Sequence, residues 1–414
     1  MASKKNIPEI RFKGFDGEWE EKELDSIALF SKGHGYSKND LVKNGTPIIL
    51  YGRLYTQYQT VITEVDTYVT AKKNSVYSKG NEVVIPASGE TAEDISRAAA
   101  VIHPAILIGS DLNIITPSKE LKSIFLALSV SNGRSQREIS KRAQGKSIVH
   151  LHNSDFRDVS IIYPTTKEQS QIGTFFQNLD ALITQRQKKL EKLSSLKKAM
   201  LEKMFPRDGA DEPELRFKGF TGKWERKKMG EILDISSAAR VHKEEWKESG
   251  IPFFRSSDVV AAYKGEPNSK AFISKDLYHQ LIETSGCVHK GDILITGGGS
   301  IGIPYLVTND NSLYFKDADL LWLKKNSEMI SHYLFFFLTT SPFKTYIKSI
   351  THIGTISHYT IEQAKATPIQ FPSSAEQTQI ASYFQHLDSL ISLQKRELDK
   401  LRNMKKACLQ KMFV

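Results

Sequence analysis

Two stretches of the chain carry apolar residues alternately four and three positions apart. Ile172, Phe176, Leu179, Ile183, Leu190, Leu193, Met200 and Met204 mark the first stripe. Ile380, Phe384, Leu387, Ile391, Leu398, Leu401, Cys408 and Met412 mark the second. This is the a/d spacing of a helix that packs on another helix. Polar residues interrupt both stripes at matching places, Arg186 and Lys197 in the first and Gln394 and Lys405 in the second. A polar seam residue costs stability and fixes register. Thr166-x-x-Gln169 and Ser374-x-x-Gln377, just after Pro164 and Pro372, read as capping boxes that open the two helices. Pro206 stops the first helix and Asp208-Gly209 supplies the turn. Residues 167 to 205 make a rod of roughly 58 Å at about 1.5 Å per residue.

The two stripes are copies of one another. From Glu168-Gln169 to Phe205 and from Glu376-Gln377 to Phe413, 208 positions later, 20 of 38 residues are identical. A second repeat precedes each half: Pro8-Glu9-Ile10-Arg11-Phe12-Lys13-Gly14-Phe15 returns as Pro213-Glu214-Leu215-Arg216-Phe217-Lys218-Gly219-Phe220, 205 positions on, and continues through Trp19-Glu20 and Trp224-Glu225. Such self-similarity decides the architecture. A helix with an apolar seam needs a partner, and its own copy is the nearest one. With a globular stretch between them, the pairing is expected to be antiparallel. The alternative is that each helix packs on its own domain.

Between the shared parts, residues 23–163 and 228–371 have little sequence in common. A skeleton survives. Gly45-Thr46-Pro47-Ile48-Ile49 aligns with Gly250-Ile251-Pro252-Phe253-Phe254, and Lys79 to Ile85 aligns with Lys290 to Ile295. Both pairs read as short buried strands opened by a turn. A helix-like stretch follows in each half, Leu121 to Ser131 and Glu328 to Thr340. Each half is therefore expected to be a mixed α+β domain of the same fold.

Composition narrows the function. The 414 residues exceed one ordinary core, and 40% are hydrophobic and 25% charged, as in globular domains. Cys287 and Cys408 stand far apart, which excludes a disulfide framework and a cysteine zinc site and suits a reducing cytoplasm. The start, Met1 to Asn6, lacks the apolar run of a signal peptide, and the longest apolar stretch, Tyr333 to Leu338, is too short to span a membrane. The net charge of +10 favours a polyanionic partner, since Lys and Arg displace counterions from phosphates. A soluble protein with many solvated lysines has the same composition.

An Arg-Phe-x-x-Phe-x-x-x-Trp lead, a variable domain, and a helix opening Glu-Gln-x-x-Ile, followed by Leu179-Asp180 or Leu387-Asp388 and ending Lys-Met-Phe, occur twice in this order. The doubled arrangement resembles the specificity subunit of type I restriction–modification complexes, over essentially the whole chain. The resemblance implies an α+β chain of two mixed α/β target-recognition domains with a pseudo-two-fold repeat, separated by two long antiparallel coiled-coil helices. Domain one is then 1–165, spacer helix one 166–206, domain two 207–373 and spacer helix two 374–414. It implies that each half reads one part of a bipartite double-stranded DNA target. The paired helices set the spacing and dock two modification (methyltransferase) subunits, and restriction subunits join for cleavage. No catalytic centre or cofactor is expected on this chain; S-adenosylmethionine, ATP and Mg are expected on the partners, in a bacterial or archaeal cytoplasm. Two readers on a rod select half-sites at fixed separation, as dimeric repressors do about one DNA turn, roughly 34 Å, apart. The alternatives are a coiled-coil scaffold that binds only protein and a nuclease in its own right.

Gly297-x-Gly299-x-x-Gly302 matches a dinucleotide fingerprint, but Ile303 to Val307 reads as a strand where the fingerprint needs a helix. A plain hairpin or a DNA-facing loop with Gly298 and Ser300 at its tip remains, and Ser88 in Ala87-Ser88-Gly89-Glu90 takes the comparable place in half one. Glu120-Leu121-Lys122 and Glu245-Trp246-Lys247 resemble the tail of a nuclease site yet read as solvated surface. Among 11 histidines, including the pair His150-x-His152, none forms a ligand pattern, so no metal site is expected. Arg134, Arg137, Lys141, Arg142 and Lys146 follow the helix of half one, and Lys344 and Lys348 that of half two. They read as phosphate clamps or as a solvated helix face. Tyr36, Lys38, Arg53 and Tyr55 in half one, and Arg240, Lys243, Arg255, Ser256, Ser257 and Asp258 in half two, are expected on loops where they address DNA.

Overall fold

The computed structural model describes residues 6–145, 148–351 and 358–414. The chain forms two compact units, Met1–Lys188 with Arg396–Val414, and Lys189–Lys395. The long helices, Thr166–Lys203 and Ser374–Lys411, are each 38 residues. Each gives one part to either unit. The start of the first helix and the end of the second belong to the first unit, and the remaining parts belong to the second.

The globular body of the first unit holds two five-stranded sheets. One runs in the order Ala28–Lys32, Leu112–Pro117, Glu82–Pro86, Ala99–Val101, Val61–Ile62. The other runs Leu41–Val42, Tyr68–Val69, Thr46–Ile49, Pro104–Ile108, Tyr77–Lys79. The strand Glu82–Pro86 is buried at every position, which is why Val83-Val84-Ile85 is a continuous apolar run rather than an alternating one. A short ladder of Glu20–Glu23 against Ser160–Tyr163 closes the body where the long helix begins. The second unit repeats the plan with fewer strands. A four-stranded sheet runs Ile235–Ser236, Leu320–Leu323, Ile293–Thr296, Pro304–Leu306, and a three-stranded one Ala271–Ile273, Ile251–Phe254, Tyr314–Phe315. Two helices, Ser256–Lys264 and Lys275–Ser285, fill the difference. Glu225–Lys228 against Pro368–Phe371 is the matching closing ladder. The fold is thus α+β, and the buried stretches 121–131 and 328–340 contain the helices Ser123–Val130 and Ser331–Phe337.

In each unit the repeated lead is a strap held by one ion pair. Arg11 grips Glu168 through Nε and Nη2, at 2.7 and 2.8 Å, and donates Nη1 to the Gly17 carbonyl. Arg216 does the same to Glu376 and Gly222. The Glu168 side chain is 1% exposed and that of Arg11 14%. The fork geometry satisfies a carboxylate that has no water to turn to, and the hydrogen bond to it raises the pKa of the Arg11 guanidinium. Farther along, Ile10 N–H donates to Lys411 C=O, and Leu215 N–H to Lys203 C=O.

The glutamine after each glutamate corrects a sequence expectation. Gln169 and Gln377 are not capping-box members. Gln169 Oε1 accepts from Lys122 N–H while Nε2 donates to the Glu120 and Pro164 carbonyls. Gln377 ties Ile330, Glu328 and Pro372 in the same way. Both are buried, and they fasten the helix start to the globular body.

The seams behave differently along their length. Ile172, Phe176 and Leu179 are buried; the first two join the first unit's body core with Trp19 and Phe125, together with Met412 and Phe413. Ile380, Phe384 and Leu387 join that of the second unit with Met204, Phe205 and Trp224. This end of each seam therefore faces its own body as well as its copy. Toward the middle Ile183, Leu190, Leu193, Ile391 and Leu401 are half-buried, while Leu398 and Gln394 are buried. Within each unit the helix segments run antiparallel. Asp180 pairs with Lys405 and Arg186 with Glu397 in the first. In the second, Lys197 pairs with Asp388, while Phe205 meets Phe384. The seam lysines thus take the aspartates of the two Leu-Asp pairs.

Arg11→Ala is expected to lower unfolding free energy by about 3 kcal/mol, because it leaves the Glu168 carboxylate buried without its cation. Replacing both, as Arg11→Met with Glu168→Leu, is expected to cost less. Urea unfolding of the wild type and these two variants measures the difference, and equal losses in the single and double variants would count against the pair as the fastening.

Candidate nucleic-acid interface

In the first unit the strand Ala28–Lys32 leaves its sheet at Gly33. A Cβ there would lie 1.9 Å from the Gly109 carbonyl oxygen, so the two backbones cross only because the residue is glycine. The chain then descends to Tyr36. This side chain is buried, and its hydroxyl shares a 2.5 Å hydrogen bond with Ser75 and accepts the Lys72 N–H at 2.7 Å. Tyr36 anchors the loop from below and does not face solvent, contrary to the expectation from its polar neighbours. Ser37 and Asp40 cap a single 3-10 turn, Lys38–Asp40, that leaves Lys38 exposed. A hydrogen bond from Lys72, helped by the Ser37 N–H, draws the Asp40 carboxyl down to about 2.

Arg53 and Tyr55 lie on a short helix, Arg53–Thr56, not on a loop. Arg53 is spent internally. Its guanidinium reaches Asp66 at 2.6 Å, Gln59 at 3.1 Å and the Glu64 carbonyl at 2.9 Å, and its side chain is 12% exposed. Tyr55 donates to the Ser88 carbonyl at 2.8 Å, which brings those two candidates together. Burial, with Asp94 nearby, pushes the Tyr55 hydroxyl up to about 12. The basic cluster after the first body helix is itself a helix, Gly133–Arg142. Arg134, Arg137 and Lys141 are exposed on it at spacings that share a face, with Arg134 leaning to Glu21. Arg142 is held by Glu138 and Asp158. Lys146 lies outside the described residues.

In the second unit Arg240 and Lys243 are exposed. The Tyr314 hydroxyl braces the loop beneath them, accepting from Ala239 N–H and reaching its carbonyl. Ser256, Ser257 and Asp258 open the helix Ser256–Lys264 and so are not loop residues. Arg255 is folded back on Asp258 at 2.8 Å and on the Ser269 carbonyl, beside the Trp246 ring. The Asp319 carbonyl collects three donors: Ser256 Oγ at 3.0 Å, Gly297 N–H at 2.8 Å and Gly298 N–H at 3.4 Å. The glycine motif is therefore a hairpin loop between Ile293–Thr296 and Pro304–Leu306, with Gly298 buried and Ser300 exposed. Lys344 and Lys348 sit on the helix Ser341–Thr351. Among the described residues no group of three His, Cys, Asp or Glu side chains could hold a metal ion, and no helix is long and apolar enough to cross a membrane.

Two halves that differ in strands and helices thus each present basic side chains on a braced loop and on the helix after the body core. Comparison with known proteins gives this arrangement a context. The sequence profile described as "Type I restriction modification DNA specificity domain" matches residues 16–194 and again 221–403. The MjaVIII specificity subunit of a type I restriction enzyme from Methanocaldococcus jannaschii is 24% identical over 347 residues, covering 82% of this chain and 80% of that one. The putative MjaX specificity subunit from the same organism is 24% identical over 421 residues, covering 94% and 91%. The fold matches the crystal structure of a type I system S subunit from M. genitalium with a TM-score of 0.63 at 17% identity, over 99% of both chains.

Arg53→Ala is expected to cost about 1–2 kcal/mol of stability, through three lost hydrogen bonds, and to leave nucleic-acid affinity of the folded protein unchanged. Thermal melting and fluorescence anisotropy test the two halves of this statement. A large affinity loss at wild-type stability would return Arg53 to the contact surface.

Proposed function

Because the chain belongs to the family of type I restriction–modification DNA specificity domains, we propose that it reads a split double-stranded DNA target, one part with each half, on behalf of two modification subunits held by its repeated helices. The observation that carries this reading is a second apolar stripe on each helix. One position before the buried seam, at sevenfold spacing, stand Phe175, Leu182 and Leu196 on the first copy and Tyr383, Leu390 and Met404 on the second. Leu182, Leu196 and Met404 are 44%, 40% and 42% exposed. Phe175 and Tyr383 are half-covered by Phe12 and Phe217, edge-on at 5.5 and 5.9 Å. Large apolar residues repeated beside the seam that each helix already shares with its copy suit a second helical partner. The same stripe occurs in both copies, so the partner binds twice. Lys192 and its counterpart Lys400 are exposed on both copies, which suits an acidic helix.

The bodies, by contrast, share a skeleton and differ in what they expose, as readers of two different half-sites must. In this reading the chain itself performs no chemistry. Methyl transfer from S-adenosylmethionine and ATP- and Mg-dependent cleavage belong to the modification and restriction subunits, in the cytoplasm of a bacterial or archaeal cell.

Co-expression with the cognate modification subunit, followed by methylation-sensitive genome sequencing, is expected to show one bipartite motif. A complex that forms but binds no specific DNA would make the chain a protein scaffold, and purified chain that cut DNA alone would make it a nuclease. Leu196→Asp with Met404→Asp is expected to release the modification subunits on size exclusion while the melting temperature of the chain stays near wild type. Undiminished complex would exclude the second stripe as the docking surface.

A further inference from the structure

The two recognition bodies diverge in strand number and helix content, yet one surface feature returns in both. Shifting the first half by 205 positions lays Tyr36-Ser37-Lys38-Asn39-Asp40 on Val241-His242-Lys243-Glu244-Glu245. The structure shows that this is a three-dimensional match. Tyr36 and Val241 are both buried. The next residue caps a single 3-10 turn, Lys38–Asp40 in one half and Lys243–Glu245 in the other. The acid caps the turn in the same way in each: Ser37 N–H donates to the Asp40 carboxylate at 2.8 Å, and His242 N–H to that of Glu245 at 2.7 Å. The turn closes identically, with Leu41 N–H on the Lys38 carbonyl and Trp246 N–H on that of Lys243. Strands Thr46–Ile49 and Ile251–Phe254 follow at the same offset.

Within this shared turn the capping acids are used by the backbone. The lysine is the one outward-pointing position that is identical in the two halves. Both lysines are exposed, and neither makes an ion pair among the described residues. The flanking exposed positions differ: Gly35 against Arg240, and Asn39 against Glu244. Two half-sites of different sequence have only their sugar–phosphate backbone in common. A feature kept in both halves fits that common element, and a feature that differs fits the base edges.

Resting on the DNA-reading function proposed above, we infer that Lys38 and Lys243 are equivalent phosphate contacts that seat each recognition body on the duplex, and that the differing neighbours Arg240, Asn39 and Glu244 are left for sequence readout. Such a contact releases counterions and carries no base information, so its loss has a specific signature. It reduces the slope of log K against log salt by about one, and it weakens cognate and mismatched DNA by the same factor.

The test uses the complex with its modification subunit and labelled duplexes carrying the methylated motif or a scrambled one, titrated from low to moderate KCl. Lys38→Ala and Lys243→Ala are each expected to lower the slope by about one, with additive effect in the double variant and no change in the methylated motif. Lys38→Arg is expected to retain the slope. Thermal melting confirms that each variant is folded. An unchanged slope, or a methylated motif that changes at one base, would overturn the assignment. Wild-type complex without specific DNA binding would instead overturn the DNA-reading function itself.

Discussion

A carboxylate at the first turn of each long helix is buried, and one arginine satisfies it. This pairing, Arg11 with Glu168 and Arg216 with Glu376, is the constraint on which each unit is assembled. Glu168 belongs to the helix, Arg11 to the strap, and the adjacent Gln169 to the recognition body through Lys122 and Glu120. The strap then reaches the last turn of the other helix through Ile10 and Lys411. One charged group therefore fixes three elements far apart in sequence. Its net contribution to stability need not be large, since burying two charges offsets most of their attraction. Its value lies in the cost of any arrangement that separates them, because a lone carboxylate at that depth has no other donor of sufficient strength.

The same constraint shows why the repeat has the form it has. Arg11 and Arg216, Phe12 and Phe217, Phe205 and Phe413, and the glutamate–glutamine pairs recur without change, and every one of them is consumed inside its own unit. Phe12 lies on Phe175 and Phe217 on Tyr383. Phe205 packs on Trp224 and Tyr333, and Phe413 on Phe125 and Phe176. The end of each helix thus completes a core to which the start of the other helix also contributes. Apolar side chains at those ends are buried by the same hydrophobic term that holds the bodies together.

Much of this was legible from periodicity. The two helices and the buried strands of each body follow from spacing, since a seam and a run of β-branched residues leave little choice of structure, and the antiparallel pairing follows from the globular stretch between the helices. What escaped was set by distance in sequence. Gln169 looks like a capping residue because its partners, Lys122 and Glu120, lie some 47 and 49 residues away. Tyr36 looks exposed among glycine, serine and lysine, but its hydroxyl finds Ser75 and Lys72 in a later loop. Arg53 and Arg255 carry the residue type that reads guanine, yet Asp66 and Asp258 claim them. One error had a local signal. Ser256-Ser257-Asp258 before an apolar stretch is the signature of a helix opening rather than of a loop.

Duplication inside one chain offers a comparison that a single sequence normally lacks. Identical residues in the two copies fall into two physical classes. The first class, typified by Glu168 and Glu376, is accounted for by bonds within its own unit. The second class is not: the lysine pair Lys38 and Lys243 is exposed, as is Leu182, while the equivalent Leu390 is half-buried. Leu196 and Met404 extend that class by apolar character rather than identity, both exposed at equivalent turns. Folding explains the first class completely. In the function and inference proposed above, the second answers to something outside the chain that is itself the same at both places, a twice-bound helix for the stripe and the DNA backbone for the lysines. Differences obey the complementary rule, since Arg240 and Gly35, or Glu244 and Asn39, stand where two different half-sites would demand different side chains.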